Sequence, residues 1–243
     1  MDSKKVEILF DSISANYDRA NTFISLGIEK YWRKRFNSSI NGSEKNILDA
    51  CCGTGVSTLD IWAKNGYKAD IFGADFSAEM LEVAKKRFDK IFKSEKARNI
   101  STRQAKTGSY AFRETDIIKT AFKDNTFDLI TMLFGIMNIT DRHKALLELY
   151  RIALPGARLM VLEFCFPQKG LFSKLYGFYL TRIMVNIGAI LTKNRSAYRH
   201  LAESIKNFPQ PADFASIIKS CGWKNVKYLN MTMGACIIYI AFK

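Results

Sequence analysis

No Cys-x-x-Cys pair occurs in the 243 residues, and with only two histidines, His143 and His200, the usual zinc spacings are missing. No metal site is expected. The five cysteines (Cys51, Cys52, Cys165, Cys221 and Cys236) are odd in number. Bridging the neighbours Cys51 and Cys52 would strain the chain, so they read as small apolar residues of a reducing compartment. Internal repeats are absent. So is a long apolar run near the N-terminus, where Met1 to Leu9 is charged and unlike a signal peptide. The most apolar long stretch, Leu171 to Thr192, is interrupted by Lys174, Arg182 and Asn186. It is expected to be too broken for a membrane span and suited to a helix buried against protein or lying on a lipid surface. The expected location is cytoplasmic.

What is present is ordinary globular material. Hydrophobic residues make up 48% and charged residues 25%, enough for a normal core and too apolar for a disordered chain. The length suits one α/β domain with elaborations. Thirty-seven Lys and Arg against 23 Asp and Glu leave a net charge of +14, which favours anionic partners without choosing among them.

The hydrophobic pattern alternates between strand and helix. Ile47 to Cys51 is a strand-like run ending in Cys52-Gly53-Thr54-Gly55, followed by helix-compatible sequence to about Lys64. Ala69 to Asp75 is a second strand, and Ser77 is a good N-cap for a helix through Phe92. Phe127 to Phe134 is a continuous apolar run, as in a parallel strand covered on both faces. Asp141 opens a helix through Ile152, and Arg158 to Phe164 is a further strand. This alternation predicts a doubly wound α/β fold with a mostly parallel sheet. A helix after Pro211 and two closing strands, Asn225–Met231 and Ala235–Phe242, add at least one antiparallel strand. The expected division is a helical N-terminal cap over 1–44, a core over 45–165, an aromatic and basic cap over 166–208, and a completing unit over 209–243. Lys93 to Glu114 reads as a long, exposed basic loop before or around the third strand.

The first strand–turn–helix unit carries the chemistry. Gly53 and Gly55 permit a tight turn against which a ligand can press, with helix N-terminal amides facing it. The third glycine of a dinucleotide fingerprint is replaced by Thr58, and no phosphate-loop motif occurs, so pyrophosphate binding is disfavoured. Asp75 ends the second strand, where a carboxylate can accept from both ribose hydroxyls. Asp116 follows a short extended segment. A Gly-x-Gly turn can also bind nothing, and each aspartate alone can be a solvated cap. Together they line the carboxyl ends of adjacent strands. A ligand with ribose and adenine but no pyrophosphate fits, and S-adenosyl-L-methionine is the leading candidate.

Several motifs then converge. They are Tyr17-Asp18-x-x-Asn21 with Ser25-Leu26-Gly27 and Trp32, Leu48 to Gly55, Gly73 to Ser77, Phe122 to Asp128, Phe134 to Asn138, Leu162 to Phe164, and the run from Ser196 to Pro209. Over residues 6 to 242 the chain resembles the class I S-adenosylmethionine methyltransferases, and within them the ubiquinone/menaquinone C-methyltransferases. The paired cysteine resembles the menaquinone branch. The resemblance implies a Rossmann-like methyltransferase sheet and cofactor contacts at Asp49, Cys52, Gly53, Thr54, Gly55, Asp75, Phe76, Asp116, Ile117 and Leu133. It also implies methylation of a demethylated menaquinol- or ubiquinol-type ring carbon. Departures are Met137 for the usual Arg, Ala20 for Met, Glu29 for His, Ala157 for Gly, Cys165 for Ser, and Leu133 for a small hydroxylic residue.

Tyr17 and Asn138 are the candidate catalytic residues, on a covering helix and a strand end; each could equally serve packing or a turn. The aromatic cap, with Phe166, Phe172, Tyr176, Phe178 and Tyr179 interleaved with Lys169, Lys174, Arg182, Lys193, Arg195 and Arg199, suits a lipophilic quinol and peripheral contact with an anionic bilayer at the inner membrane face. Core packing would give the same stripe. The other readings are a paralogue methylating another lipophilic or aromatic acceptor, and a cofactor-binding accessory protein without turnover. A nucleic-acid partner is not expected, since no Asn-Pro-Pro-Tyr-type motif accompanies the positive charge. Oligomeric state stays open, a homodimer being one reading.

Overall fold

A computed structural model describes residues 3–98 and 108–243. Its centre is β1 (Asn46–Ala50), whose continuous apolar run is buried from Ile47 onward. Leu48 and Ala50 enter one apolar layer and Ile47 the other, so the strand is covered on both faces. β1 pairs in parallel with β2 (Asp70–Asp75) and β4 (Phe127–Leu133). β3 (Tyr110–Glu114) and β5 (Ala153–Phe164) extend the two sides, and with β6 (Lys224–Met231) and β7 (Cys236–Phe242) the seven strands of the described residues run in the order β3-β2-β1-β4-β5-β7-β6. Of the two closing strands, β7 is antiparallel to both β5 and β6. The sheet is therefore mostly parallel with a reversed C-terminal strand, as expected.

Strand order reverses between β1 and β4, which opens a crevice at their carboxyl ends. The helices α4 (Val56–Lys64), α5 (Ala78–Arg98), α6 (Arg142–Ile152) and α10 (Pro211–Ser220) complete the winding. Ser77 accepts the Met80 amide at 3.1 Å and Asp141 accepts the Lys144 amide at 2.9 Å, so both predicted caps start their helices. Around the crevice stand α1 (Ser3–Ile13), α2 (Tyr17–Ile24), α3 (Ile28–Asn37), α7 (Gly170–Phe178), α8 (Val185–Thr192) and α9 (Arg195–Asn207).

Two expectations need correction. The stretch read as one long loop contains the end of α5 and all of β3. β3 is a sheet-edge strand with no fully buried residue, so its sequence lacks the apolar run that marks a central one. Residues 99–107 of that stretch lie outside the described residues. Second, Gly170–Thr192 is one continuous helix, through a π-helical Tyr179–Met184, and is long and apolar enough to cross a membrane by length and composition. Its interruptions do not exclude a span on those grounds. In this structure Leu180, Met184, Val185 and Gly188 form a buried stripe along it. α8 packs on α2 and α9.

That packing is tight at one point. A Cβ on Gly188 would lie 2.3 Å from the Tyr198 ring, so the ring or the helix must shift to admit it. Gly188→Ala should lower stability by roughly 1–3 kcal/mol despite alanine's better helix propensity. Chemical denaturation checks this, and an unchanged midpoint would contradict the packing described.

Candidate active site

The crevice holds two cavities. The first, about 370 Å³, lies over the carboxyl ends of β1, β2 and β4. β1 ends in a turn where Cys51, Gly53 and Gly55 all take positive φ. This brings the Gly53 amide to Asp75, whose Oδ2 accepts it at 2.8 Å while Oδ1 accepts the Ser77 amide at 3.0 Å. Burial pushes the Asp75 carboxyl up and these two amides pull it back. Asp75 is thereby held rigidly at the edge of the cavity, with lone pairs left for a ligand.

The charge of this cavity is opposite to that of the chain. Glu7, Asp75, Glu114, Asp116 and Asp141 line it, and no Lys, Arg or His does among the described residues. In a chain of net charge +14 this concentrates negative potential at one place. Such a site favours a cationic ligand.

Of the residues the sequence singled out, Gly53, Asp75, Phe76, Asp116, Ile117, Leu133, Tyr17 and Asn138 line this cavity together. Four others stand behind its wall. Asp49 is buried, accepting from Thr58 at 2.6 Å and Thr131 at 2.9 Å, and burial raises its carboxyl to about 7. Cys52 faces Gly73, whose Cβ would come 3.0 Å from its sulfur, and Cys51 lines the cavity in its place. Thr54 donates to Asp18 at 2.6 Å, and Arg87 bonds both that carboxylate and the Thr54 carbonyl. Gly55 meets Ala84, leaving 2.9 Å for a Cβ. The sequence did not mark Val6, Glu7 and Phe10, which α1 lays across the cavity. An amphipathic helix pattern near the N-terminus was their sole signal.

The second cavity, about 280 Å³, is lined mostly by apolar and aromatic side chains. They include Leu9, Ile24, Trp32, Phe164, Phe172, Tyr176, Tyr179, Leu180 and Met184. Phe10, Tyr17, Phe134 and Asn138 line both cavities and form the partition between them. Burial pushes the Tyr17 phenol well above its ordinary range, so it remains a proton donor at neutral pH. Burial lowers His200, at the chamber wall, and so disfavours its charged form.

A profile of the ubiE/COQ5 methyltransferase family matches residues 1–243. The demethylmenaquinone methyltransferase of Lactiplantibacillus plantarum is 33% identical over 239 residues, 98% of this chain and 95% of that protein. The ubiquinone/menaquinone biosynthesis C-methyltransferase UbiE of Geotalea daltonii is 36% identical over 244 residues, covering 99% and 97%. The chain belongs to the ubiE/COQ5 methyltransferase family. It is an S-adenosylmethionine-dependent methyltransferase. Solved structures agree on the fold. A SAM-dependent methyltransferase from Aquifex aeolicus superimposes with TM-score 0.57 at 19% identity, covering 88% of each chain. A possible histamine N-methyltransferase from Thermotoga maritima gives 0.61 at 15%, covering 98% and 99%.

Two of the positions that the sequence marked as unlike the family it resembles, Met137 and Glu29, line the apolar chamber. Met137 lines it as a buried neutral side chain. Glu29 is buried there, accepting from Thr22 at 3.1 Å and from Ser25, with Arg33 3.9 Å away. The chamber of this ubiE/COQ5 chain thus carries a carboxylate–guanidinium pair on an otherwise greasy wall.

Proposed function

We propose that this methyltransferase moves the methyl of S-adenosylmethionine to a ring carbon of a demethylated menaquinol- or ubiquinol-type acceptor, the S–CH3 bond breaking as the C–CH3 bond forms and the proton of that ring carbon leaving to water. The observation that carries this reading is the pair of adjoining cavities, one acidic and one apolar, sharing Phe10, Tyr17, Phe134 and Asn138. An acidic site suits a sulfonium, and an aromatic chamber suits a quinol ring with a hydrocarbon tail. S-adenosylmethionine supplies an electrophilic methyl on positively charged sulfur. Asp75 would hold its ribose hydroxyls, and the carboxylates around it favour the charged donor over the neutral product left after transfer. Phe134 and Phe164, 4.5 Å apart and next to Trp32, offer faces for the acceptor ring. Tyr17 would donate a hydrogen bond to a ring oxygen and Asn138 would orient that oxygen, leaving alignment as the largest contribution to rate.

The same reading gives Cys51, Phe76, Ile117 and Leu133 the adenosine contacts. It gives Asp49, Cys52, Thr54 and Gly55 the task of holding the turn. Residues 1–44 and 166–208 act as the two caps of the acceptor chamber, and 45–165 with 209–243 as the donor-binding core.

The decisive experiment is turnover with short-chain demethylated menaquinol and ubiquinol, with soluble catechols and phenols as controls. Methylation of a quinol carbon supports the proposal, and methylation of the controls alone would shift it to another aromatic acceptor. Binding of the donor without any turnover would favour an accessory protein. In the same assay Tyr17→Phe should lower kcat about 10-fold with donor affinity nearly unchanged, as expected for one hydrogen bond realised at the reacting end.

A cytoplasmic protein touching the membrane from its inner face fits the outer side of the Gly170–Thr192 helix. Leu171, Leu175, Phe178 and Ile190 are exposed there beside Lys174 and Arg182. Leu26, 81% exposed, stands at the mouth of the apolar chamber. Apolar side chains interleaved with cations are what an anionic bilayer surface binds. Co-sedimentation with vesicles containing anionic lipid, weakened by Phe178→Asp and by salt, is the expected result; equal recovery in the supernatant with and without vesicles would remove this part.

A further inference from the structure

The sheet side of the partition between the cavities is a single turn, bearing Phe134 and Asn138, and two polar side chains that line neither cavity hold its backbone from two sides. Phe134 takes a left-handed φ of 58° and is tied by its amide to the Leu162 carbonyl at 2.7 Å. Gly135 then packs so closely on Cys51 that a Cβ would sit 2.5 Å from that residue's own Cβ. Ile136–Asn138 follows as one 3-10 turn. On its N–H side stands Glu163, fully buried on β5, which accepts the Met137 amide at 3.1 Å and the Phe164 amide at 2.8 Å. On its C=O side stands Arg142, in the first turn of α6, donating from Nε to the Ile136 carbonyl at 3.2 Å and from Nη2 to the Met137 carbonyl at 3.1 Å.

The guanidinium has a second contact. It lies 5.3 Å from the centre of the Phe208 ring, at the end of α9. α9 in turn carries Ala197, Tyr198, Leu201 and Ile205 into the wall of the apolar chamber. Arg142 therefore touches both the turn that bears Asn138 and the helix that closes over the acceptor. A fork of fixed donors stacked on an aromatic ring is a rigid link, which a flexible ammonium would not reproduce.

We propose that Arg142 is a positioning residue: it couples the seating of α9 over the acceptor chamber to the placement of Phe134 and Asn138 beside the donor pocket. It touches neither donor nor acceptor, so its removal acts on alignment rather than on donor binding. For the acceptor this rests on the reading of the chamber given above.

The test compares Arg142→Gln, Arg142→Lys and Phe208→Leu in the full chain. Arg142→Gln should leave S-adenosylmethionine affinity within about 3-fold and lower kcat on the quinol by roughly 10- to 100-fold, since misplacement by a fraction of an ångström is costly at the reacting centre. Arg142→Lys, which restores charge without the fork, should recover only part of kcat. Independently of any acceptor, amide hydrogen exchange at Met137, Asn138 and Ile139 should quicken at least about 10-fold while the β4 amides stay protected. Phe208→Leu removes the stack and leaves the fork; it should give a smaller change of the same kind, and it decides the matter if the Gln variant does not fold. Unchanged exchange at these three amides in the folded variants overturns the proposal. So does a kcat loss matched by an equal loss of donor affinity. If the wild-type chain methylates no quinol, the reading of the chamber fails while the exchange measurement still judges the clamp.

Discussion

Asp75→Ala should lose S-adenosylmethionine affinity by about 100-fold or more, measured by calorimetry, with the fold retained. The size follows from what the carboxylate does. It faces the cavity at the end of β2, and hydrogen bonds to charged acceptors are worth about 1.5–3 kcal/mol each, so two ribose contacts account for such a loss. The substitution also frees the Gly53 and Ser77 amides, which Asp75 holds at 2.8 and 3.0 Å, and so loosens the turn. Asp75→Asn separates the two contributions. It keeps an acceptor for one amide while removing the charge that favours a cationic donor, and should fall between alanine and wild type. Equal donor affinity in all three proteins would contradict the assignment of the first cavity. Removing the exposed Glu82, on the outer face of α5 and paired with Lys85, should leave affinity unchanged.

Stability should fall as pH rises from about 5 to about 8, the reverse of what a paired surface carboxylate produces. Two buried carboxyls drive this. Burial raises Glu163 from its ordinary 4.5 to about 8, with the Phe164 and Met137 amides and Arg142 pulling the other way. Burial likewise raises Asp49 from 3.8 to about 7 against hydrogen bonds from Thr58 and Thr131. Across that range the unfolded chain has released these protons and the folded chain still holds them. Since N then binds more protons than U, unfolding becomes easier with each step in pH; the contribution of these two groups levels off above about 8, where the buried thiols, also raised by burial, begin to act in the same direction. The total is on the order of a few kcal/mol. Glu148, held down to about 2 by Arg151, gives the opposite slope only at acid pH. Thermal unfolding from about pH 5 to 9 checks the prediction. Glu163→Gln, which keeps an acceptor for the Met137 amide but cannot ionise, should flatten the curve, and a curve that rises through this range would refute it.

The acidic cavity of the candidate site was legible because its determinants are local. A strand that must be buried on both faces needs a continuous apolar run, and a tight turn after it needs Gly53 and Gly55. A carboxylate at the next strand end must then face that turn. Those constraints act within about thirty residues, so they leave marks in the order of amino acids. The misreadings have equally physical origins. Positive φ at Cys51 turns that side chain, rather than Cys52, toward the cavity. The bounds of β3 were blurred into the loop before it because an edge strand need not be apolar on both faces.

The acceptor half depends on contacts between distant segments. Trp32 meets Phe134 and Phe164, and its indole donates to Thr232, two hundred residues away. Met184 and Tyr179 reach the same chamber from a helix whose pattern equally fits plain packing. Carboxylates at positions 7, 75, 114, 116 and 141 form one acidic basin only after folding.

Local patterning alone thus determined the doubly wound sheet, its reversed final strand and the glycine turn after β1, because hydrogen-bonding periodicity and backbone torsion are short-range demands on neighbouring residues. Which side chains share the partition, where negative charge gathers in a basic chain, and how Arg142 links α9 to the turn at Asn138 were decided only by tertiary packing. Burial and electrostatic fields arise from whatever the fold brings within a few ångströms, whatever its separation along the chain.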